Sequence, residues 1–151
     1  MTDGTDPPAF GGANQPAESP HRLINPEKLL PPQGFSHAVV PAAGRTIYLG
    51  GQAGHRPDGS IDEGIVAQFD QAAANVVEAL RAAGGSPEHL VSVQIFVTDA
   101  AEYRSALREI GEAWRRRLGR HFPAVSLFEI RGLFDARARV ELVCVAVVPE
   151  G

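Results

Sequence analysis

The sequence predicts an α+β fold, a mixed sheet with two helices packed on one face, in the order β-β-α-β-α-β-β. Three observations carry this. Residues 64–83 and 99–118 repeat apolar side chains every three or four positions, the period of a helix with one buried side. Shorter runs rich in Val, Ile and Phe lie around them, bounded by Gly and Pro. The last of these runs, Arg139 to Val148, is apolar at almost every position from Val140 on, with Glu141 the exception. A strand wet on one side alternates apolar and polar residues, whereas a strand apolar on both sides is covered on both. Right-handed crossovers put both helices on one face. The other face, carrying Phe96, Val143, Val145 and Val147, needs a cover, and a partner subunit is the simplest one.

At 151 residues the chain fits one domain with room for a real core. A net charge of −4 gives no basic field for nucleic acid or an anionic membrane. The single cysteine, Cys144, excludes an intrachain disulfide and suits a reducing compartment. No run approaches the ~18 apolar residues of a membrane span. No basic segment followed by an apolar one opens the chain. The expectation is a cytoplasmic protein.

Taken in order, residues 1–22 are rich in Pro, Gly and Ala without apolar periodicity, and read as a disordered tail before a domain spanning 23–151. Ser36–Val40 and Arg45–Gly50 read as strands of a hairpin closed by Pro41–Gly44. Glycines at a strand end, here Gly50, Gly51 and Gly54, mark a close backbone approach to a ligand or another chain. No GxGxxG opens a helix, so this is not a dinucleotide fingerprint. Pro57–Ser60 is a turn. The first helix buries Ile65, Phe69, Ala72, Val76 and Leu80, and Gly84-Gly85 caps it. Leu90–Val97 is a strand with Val91, Val93, Ile95 and Val97 on one face. Asp99 and Glu102 have the spacing of an N-cap and its reciprocal partner. They start a single second helix burying Tyr103, Leu107, Ile110, Trp114 and Leu118, which Gly119 stops. Two strands within Phe122–Val148, joined by a loop, complete the chain.

Six short pieces then occur in a familiar order: Gly34-Phe35-Ser36-His37-Ala38; Tyr48-Leu49-Gly50-Gly51-Gln52; Gln68 and Asn75; Phe96-Val97-Thr98-Asp99; Phe122-Pro123-Ala124-Val125-Ser126; and Val140-Glu141-Leu142. Over Ile24 to Val148 the chain resembles the RidA/YjgF family, also called the L-PSP endoribonuclease family. The resemblance implies a chorismate-mutase-like sandwich, assembled as a homotrimer with clefts between subunits. It also implies hydrolysis of enamines and imines without a cofactor. In the family an arginine of a P-A-R-S motif binds the substrate carboxylate, and a glutamate on the last strand handles water and protons. Here the glutamate is Glu141, but Val125 stands in the arginine's place. Phe35 replaces a tyrosine, His37 a glutamine, and Leu107 aligns near an asparagine of the second helix.

Glu141 is therefore the first candidate, as general acid or base or as a water orienter, since a desolvated strand carboxylate suits proton transfer. Its other reading is an ion pair with Arg139 on the same strand face, or with Arg137 or Arg131. One of those loop arginines could instead bind an anionic substrate. His37 reads equally as a proton shuttle or as a structural side chain. Phe35, Ser36, Gly50, Gly51, Val125, Ser126 and Arg139 complete the substrate-binding set. The histidines lack metal-ligand spacing, so no metal is expected. Arg115-Arg116-Arg117 with Arg120 reads as a solvated helix end before it reads as an RNA patch. Two functions stand. One is a hydrolase or deaminase of an enamine, imine or related electrophile other than 2-aminoacrylate. The other is a non-catalytic ligand-binding trimer, with RNA cleavage as a minor reading.

Overall fold

A computed structural model of the chain describes residues 18–151. The elements are β1 (Arg22–Ile24), β2 (Ala38–Val40), β3 (Gly44–Tyr48), β4 (Gln52–Ala53), α1 (Ile65–Ala82), a 3-10 turn (Pro87–His89), β5 (Leu90–Val97), α2 (Ala100–Ser105), α3 (Leu107–Leu118), β6 (Ala124–Glu129) and β7 (Val140–Pro149). The main sheet runs β3-β7-β5-β6, with β4 also paired to β7. It is mixed: β7 is antiparallel to β3, β4 and β5, and β6 is parallel to β5. The apolar strand β7 is thus the inner strand, hydrogen-bonded to β3 and β4 on one side and β5 on the other.

The helices cover one face. Leu90, Val93, Ile95 and Val97 of β5 and Val140, Leu142, Cys144 and Ala146 of β7 point into a core shared with α1 and α3. Phe69, Ala72, Ala73, Val76 and Leu80 of α1 are fully buried there. Each large apolar side chain in this set stabilises the fold by about 1.5–3 kcal/mol. The end of α1 is a full glycine cap: Gly84, at φ 89, turns the chain so that its N–H meets Arg81 O and the Gly85 N–H meets Leu80 O at 2.7 Å.

Several expectations change. The β2–β3 hairpin does not form, because β2 pairs with β1 in a separate two-stranded sheet and β3 pairs with β7. A bulge at Val91 puts Leu90 rather than Val91 on the core side of β5. The second helix is two helices, divided at Ala106 (φ −105, ψ 14). That break shifts the helical phase, so Leu107 leaves the buried stripe and stands 56% exposed. Asp99 does cap α2 by accepting from the Glu102 N–H, but the Glu102 carboxylate turns to Arg139 instead of completing the box. Of the expected tail, residues 1–17 lie outside the described residues. The remainder is packed: Ser19 donates to Glu88 O, and His21 is buried with Nε2 against His89 O.

The second sheet face carries Glu141, Val143 and Val145 of β7, Gln94 and Phe96 of β5, and Ser126 and Phe128 of β6, by the pairing register. Tyr48 of β3 joins it opposite Val145 and is 81% exposed. Phe96 and Phe128 stack on it at 5.4 Å. Val147, expected on this open face, is buried.

Candidate active site

Glu141 sits near the start of β7, opposite Phe96 of β5 and Ala53 of β4. The chain between β3 and β4 passes directly over its side chain. A Cβ on Gly51 would stand 2.8 Å from Glu141 Cδ and 2.9 Å from Oε2. The glycine is thus required by a close approach, but to the chain's own carboxylate. Gly54 has a similar reason, its missing Cβ leaving room for the α1 backbone at Gln68. Among the described residues, the Glu141 carboxylate makes no hydrogen bond or ion pair. The expected pairing with Arg139 does not occur: Arg139 Nη1 donates to Glu102 Oε2 at 2.7 Å. Arg137 is committed to Asp135 and to Gly59 O. The partly buried Glu141 carboxylate, without a protein partner among the described residues, is available for chemistry.

Glu141 lines an open cleft of about 780 Å³ at the β4 edge of the sheet. Gly51, Ala53, Asn75 and Glu78 of α1, His55 and Asp135 also line it. Two side-chain amides of α1 hold this shape. Asn75 Nδ2 donates to Ala53 O and His55 O, fixing β4 and the turn after it. Gln68, almost fully buried, donates to Asp62 O and Arg137 O and accepts the Arg139 N–H, fixing the β6–β7 loop. His55 and Asp135 were not singled out in the sequence, since 80 residues separate them.

The remaining candidates gather elsewhere. Ser36 is buried, with Oγ donating to Phe122 O at 2.7 Å and its N–H to Pro123 O. His37 points Nε2 at Leu30 O, at 2.7 Å, and packs edge-on against Phe35. Val125 shares its register with Val93 on the helix side and packs against the core, whereas Ser126 lies on the open face. From Ser36 beside Ala124 to Glu141 is three strand spacings across the sheet, about 14 Å, and four residues along it, about 13 Å. One chain therefore keeps Phe35 and Ser36 apart from Glu141.

Other side chains are accounted for by structure. Cys144 is buried, and burial pushes its thiol up to about 12, so it is no nucleophile. Arg116 and Arg117 both bind Asp70 of α1, which removes the middle of the basic run from any RNA patch. Among the described residues no helix is long and apolar enough to cross a membrane.

Comparison with known proteins agrees with this architecture. The family described as Endoribonuclease L-PSP matches residues 26–148. The human 2-iminobutanoate/2-iminopropanoate deaminase is 27% identical over 115 residues, covering 75% of this chain and 79% of that protein. A crystal structure of a Rid-family protein of unknown function from Yersinia pestis superposes with a TM-score of 0.76 at 31% identity, covering 85% of this chain and 98% of that one. RidA from an Antarctic Psychrobacter superposes at 0.61 with 28% identity, covering 76% and 88%. With the family match spanning most of the chain and the same sheet-and-helix layout, the chain belongs to the RidA/YjgF family, the one described as Endoribonuclease L-PSP.

Proposed function

We propose that this protein hydrolyses an enamine or imine at a cleft built between the subunits of a homotrimer, with Glu141 handling the water proton. The unpaired Glu141 carboxylate in the cleft carries this reading. The deaminase relatives give the reaction class, and the cleft gives a place for it. Water adds to the C=N carbon while Glu141 takes its proton, a step within reach of a positioned carboxylate.

The assembly is supported by two observations. Tyr48, Val143, Val145, Phe96 and Phe128 form an apolar strip across the sheet face that no helix covers. Phe35 and Ser36 also lie too far from Glu141 to share a ligand within one chain. In the trimer, Phe35 and Ser126 of one subunit would meet Glu141, Gly50 and Gly51 of the next. Sedimentation at micromolar concentration is expected to give three chains, and a well-behaved monomer would sink the composite site.

The substrate is an imine without a carboxylate clamp. Val125 cannot bind a carboxylate, and the arginines around the cleft are engaged: Arg56 with Asp62, Arg137 with Asp135. A carboxylate desolvated without donors costs more than its contacts return. We therefore expect little turnover of 2-iminobutanoate. The direct test is Glu141→Gln, which keeps volume and one acceptor but moves no proton. Turnover should fall about 10²-fold or more with the melting temperature unchanged. Wild-type turnover in that variant would leave the second reading, a ligand-binding trimer without chemistry.

A further inference from the structure

We propose that His55 is the second proton-transfer residue of the Glu141 cleft, accepting a proton at Nδ1 while Asp135 holds the ring from the other side. This rests on the imine-hydrolase reading above and assigns the group that reading lacks. The expected second group was His37, but that ring is tied to Leu30 O and packed edge-on against Phe35, outside the residues that line the cleft.

The geometry fixes His55 at three points. Its carbonyl accepts from Asn75 Nδ2 at 2.8 Å, and its backbone bridges to Ile61. Its ring Nε2 lies 2.8 Å from Asp135 Oδ2. Asp135 is itself fixed by Arg137, which gives its backbone N–H, Nε and Nη2 to the same carboxylate. The Arg137 guanidinium and the His55 ring hold that carboxyl far below the usual range, so it is ionised and accepts only. Nε2 must then carry the hydrogen. That assigns the lone pair of the neutral ring to Nδ1, which has no partner among the described residues. His55 lines the same cleft as Glu141, and its side chain is 38% exposed.

The reaction has work for such a base. When water adds to an iminium carbon, the C–O bond forms, the π pair moves to nitrogen, and Glu141 takes the water proton. The carbinolamine must then collapse. The C–N bond breaks with its electron pair leaving on nitrogen, which takes the proton from Glu141. The carbonyl forms from the hydroxyl, whose proton must leave at the same moment. A carboxyl group can do both only if its two oxygens face the carbinolamine together, and a second base beside it removes that demand. His55 Nδ1 takes the hydroxyl proton, and the resulting imidazolium faces the Asp135 carboxylate. Products are the carbonyl compound and ammonia, with the extra proton passed from His55 to solvent.

The charged groups around the ring are Asp135 and Arg137 of the β6–β7 loop, Arg56 with its partner Asp62, Glu141 of β7 and Glu78 of α1. The probe is benzaldimine, released from benzylamine by a flavin amine oxidase and followed as benzaldehyde formation above the spontaneous rate. His55→Gln keeps an N–H for Asp135 but supplies no base. It should lower kcat about 10²-fold with KM and melting temperature unchanged. Asp135→Asn, which no longer dictates the tautomer, should lower kcat without changing KM. If His55→Gln works like wild type, or loses activity only as it loses stability, the pair is a loop clasp and the inference falls while the hydrolase reading stands. A wild type that accelerates hydrolysis of neither benzaldimine nor 2-iminobutanoate removes both.

Discussion

The two edges of the sheet treat their polar groups in opposite ways. Beside β6, Ser36 spends its hydroxyl on Phe122 O, His37 is tied to Leu30 O, and Val125 turns into the core. Beside β4, Glu141 is unpaired and His55 keeps one ring nitrogen free among the described residues. Both edges carry residues of the family's motifs. The satisfied groups at one edge hold the fold together, whereas the unpaired ones at the other are partly exposed in the cleft and available to a ligand. The motif tells where to look, and the hydrogen bonds tell which groups are available.

The comparison breaks most visibly at Gly51. Alanine there needs no unusual backbone, but its Cβ would meet Glu141 Cδ at 2.8 Å, so the carboxylate must swing away. A displaced catalytic group costs about 10²-fold in rate. Gly51→Ala should therefore lose turnover of a carboxylate-free imine to about that extent while melting like wild type. A variant that keeps its turnover would show that Glu141 has no fixed working position.

Ser36→Ala tests the other edge and should do the reverse. It leaves Phe122 O without its donor in a buried site, at a cost of about 1–3 kcal/mol. The melting temperature should fall, and turnover per folded molecule should not change. A drop in turnover with unchanged stability would return Ser36 to the ligand.

How much of this was legible follows from the range of each interaction. The first helix was read as Gly64–Ala83 and is Ile65–Ala82, because period and glycine cap are local signals. Glu141 was legible as a lone charge in an apolar strand. The break at Ala106 was not, since apolar residues continue at helical spacing through it. The hairpin reading failed because nearness in sequence favoured β2 with β3, while β7, almost 100 residues on, won the pairing with β3. His55 and Asp135 leave no local pattern at all. The expected partner of Glu141, Arg139, was chosen by a two-residue spacing. Its carboxylate partner turned out to be Glu102, brought in by α2.

The smallest effect is expected behind both edges, in the helical layer. Asp70 of α1 receives Arg117 through two hydrogen bonds and Arg116 through a third. The Arg117 hydrogen bonds, opposed by burial and helped by Arg116, hold its carboxyl below the ordinary value. A folded pKa below the unfolded one adds stability that is fully present above the unfolded value of ~4 and lost as pH falls through the folded value. The arginine side chains are 55% and 39% exposed, so solvent screens the pair. The contribution is about 1 kcal/mol or less at neutral pH and low salt. Asp70→Asn should lower the melting temperature slightly at pH 7 and match wild type at pH 2, with the neutral-pH gap closing in high salt. Because it touches neither edge of the sheet, imine turnover should not change. A turnover loss in Asp70→Asn would mean that the helical layer, and not the hydrogen bonds at the two edges alone, sets the geometry of the Glu141 cleft.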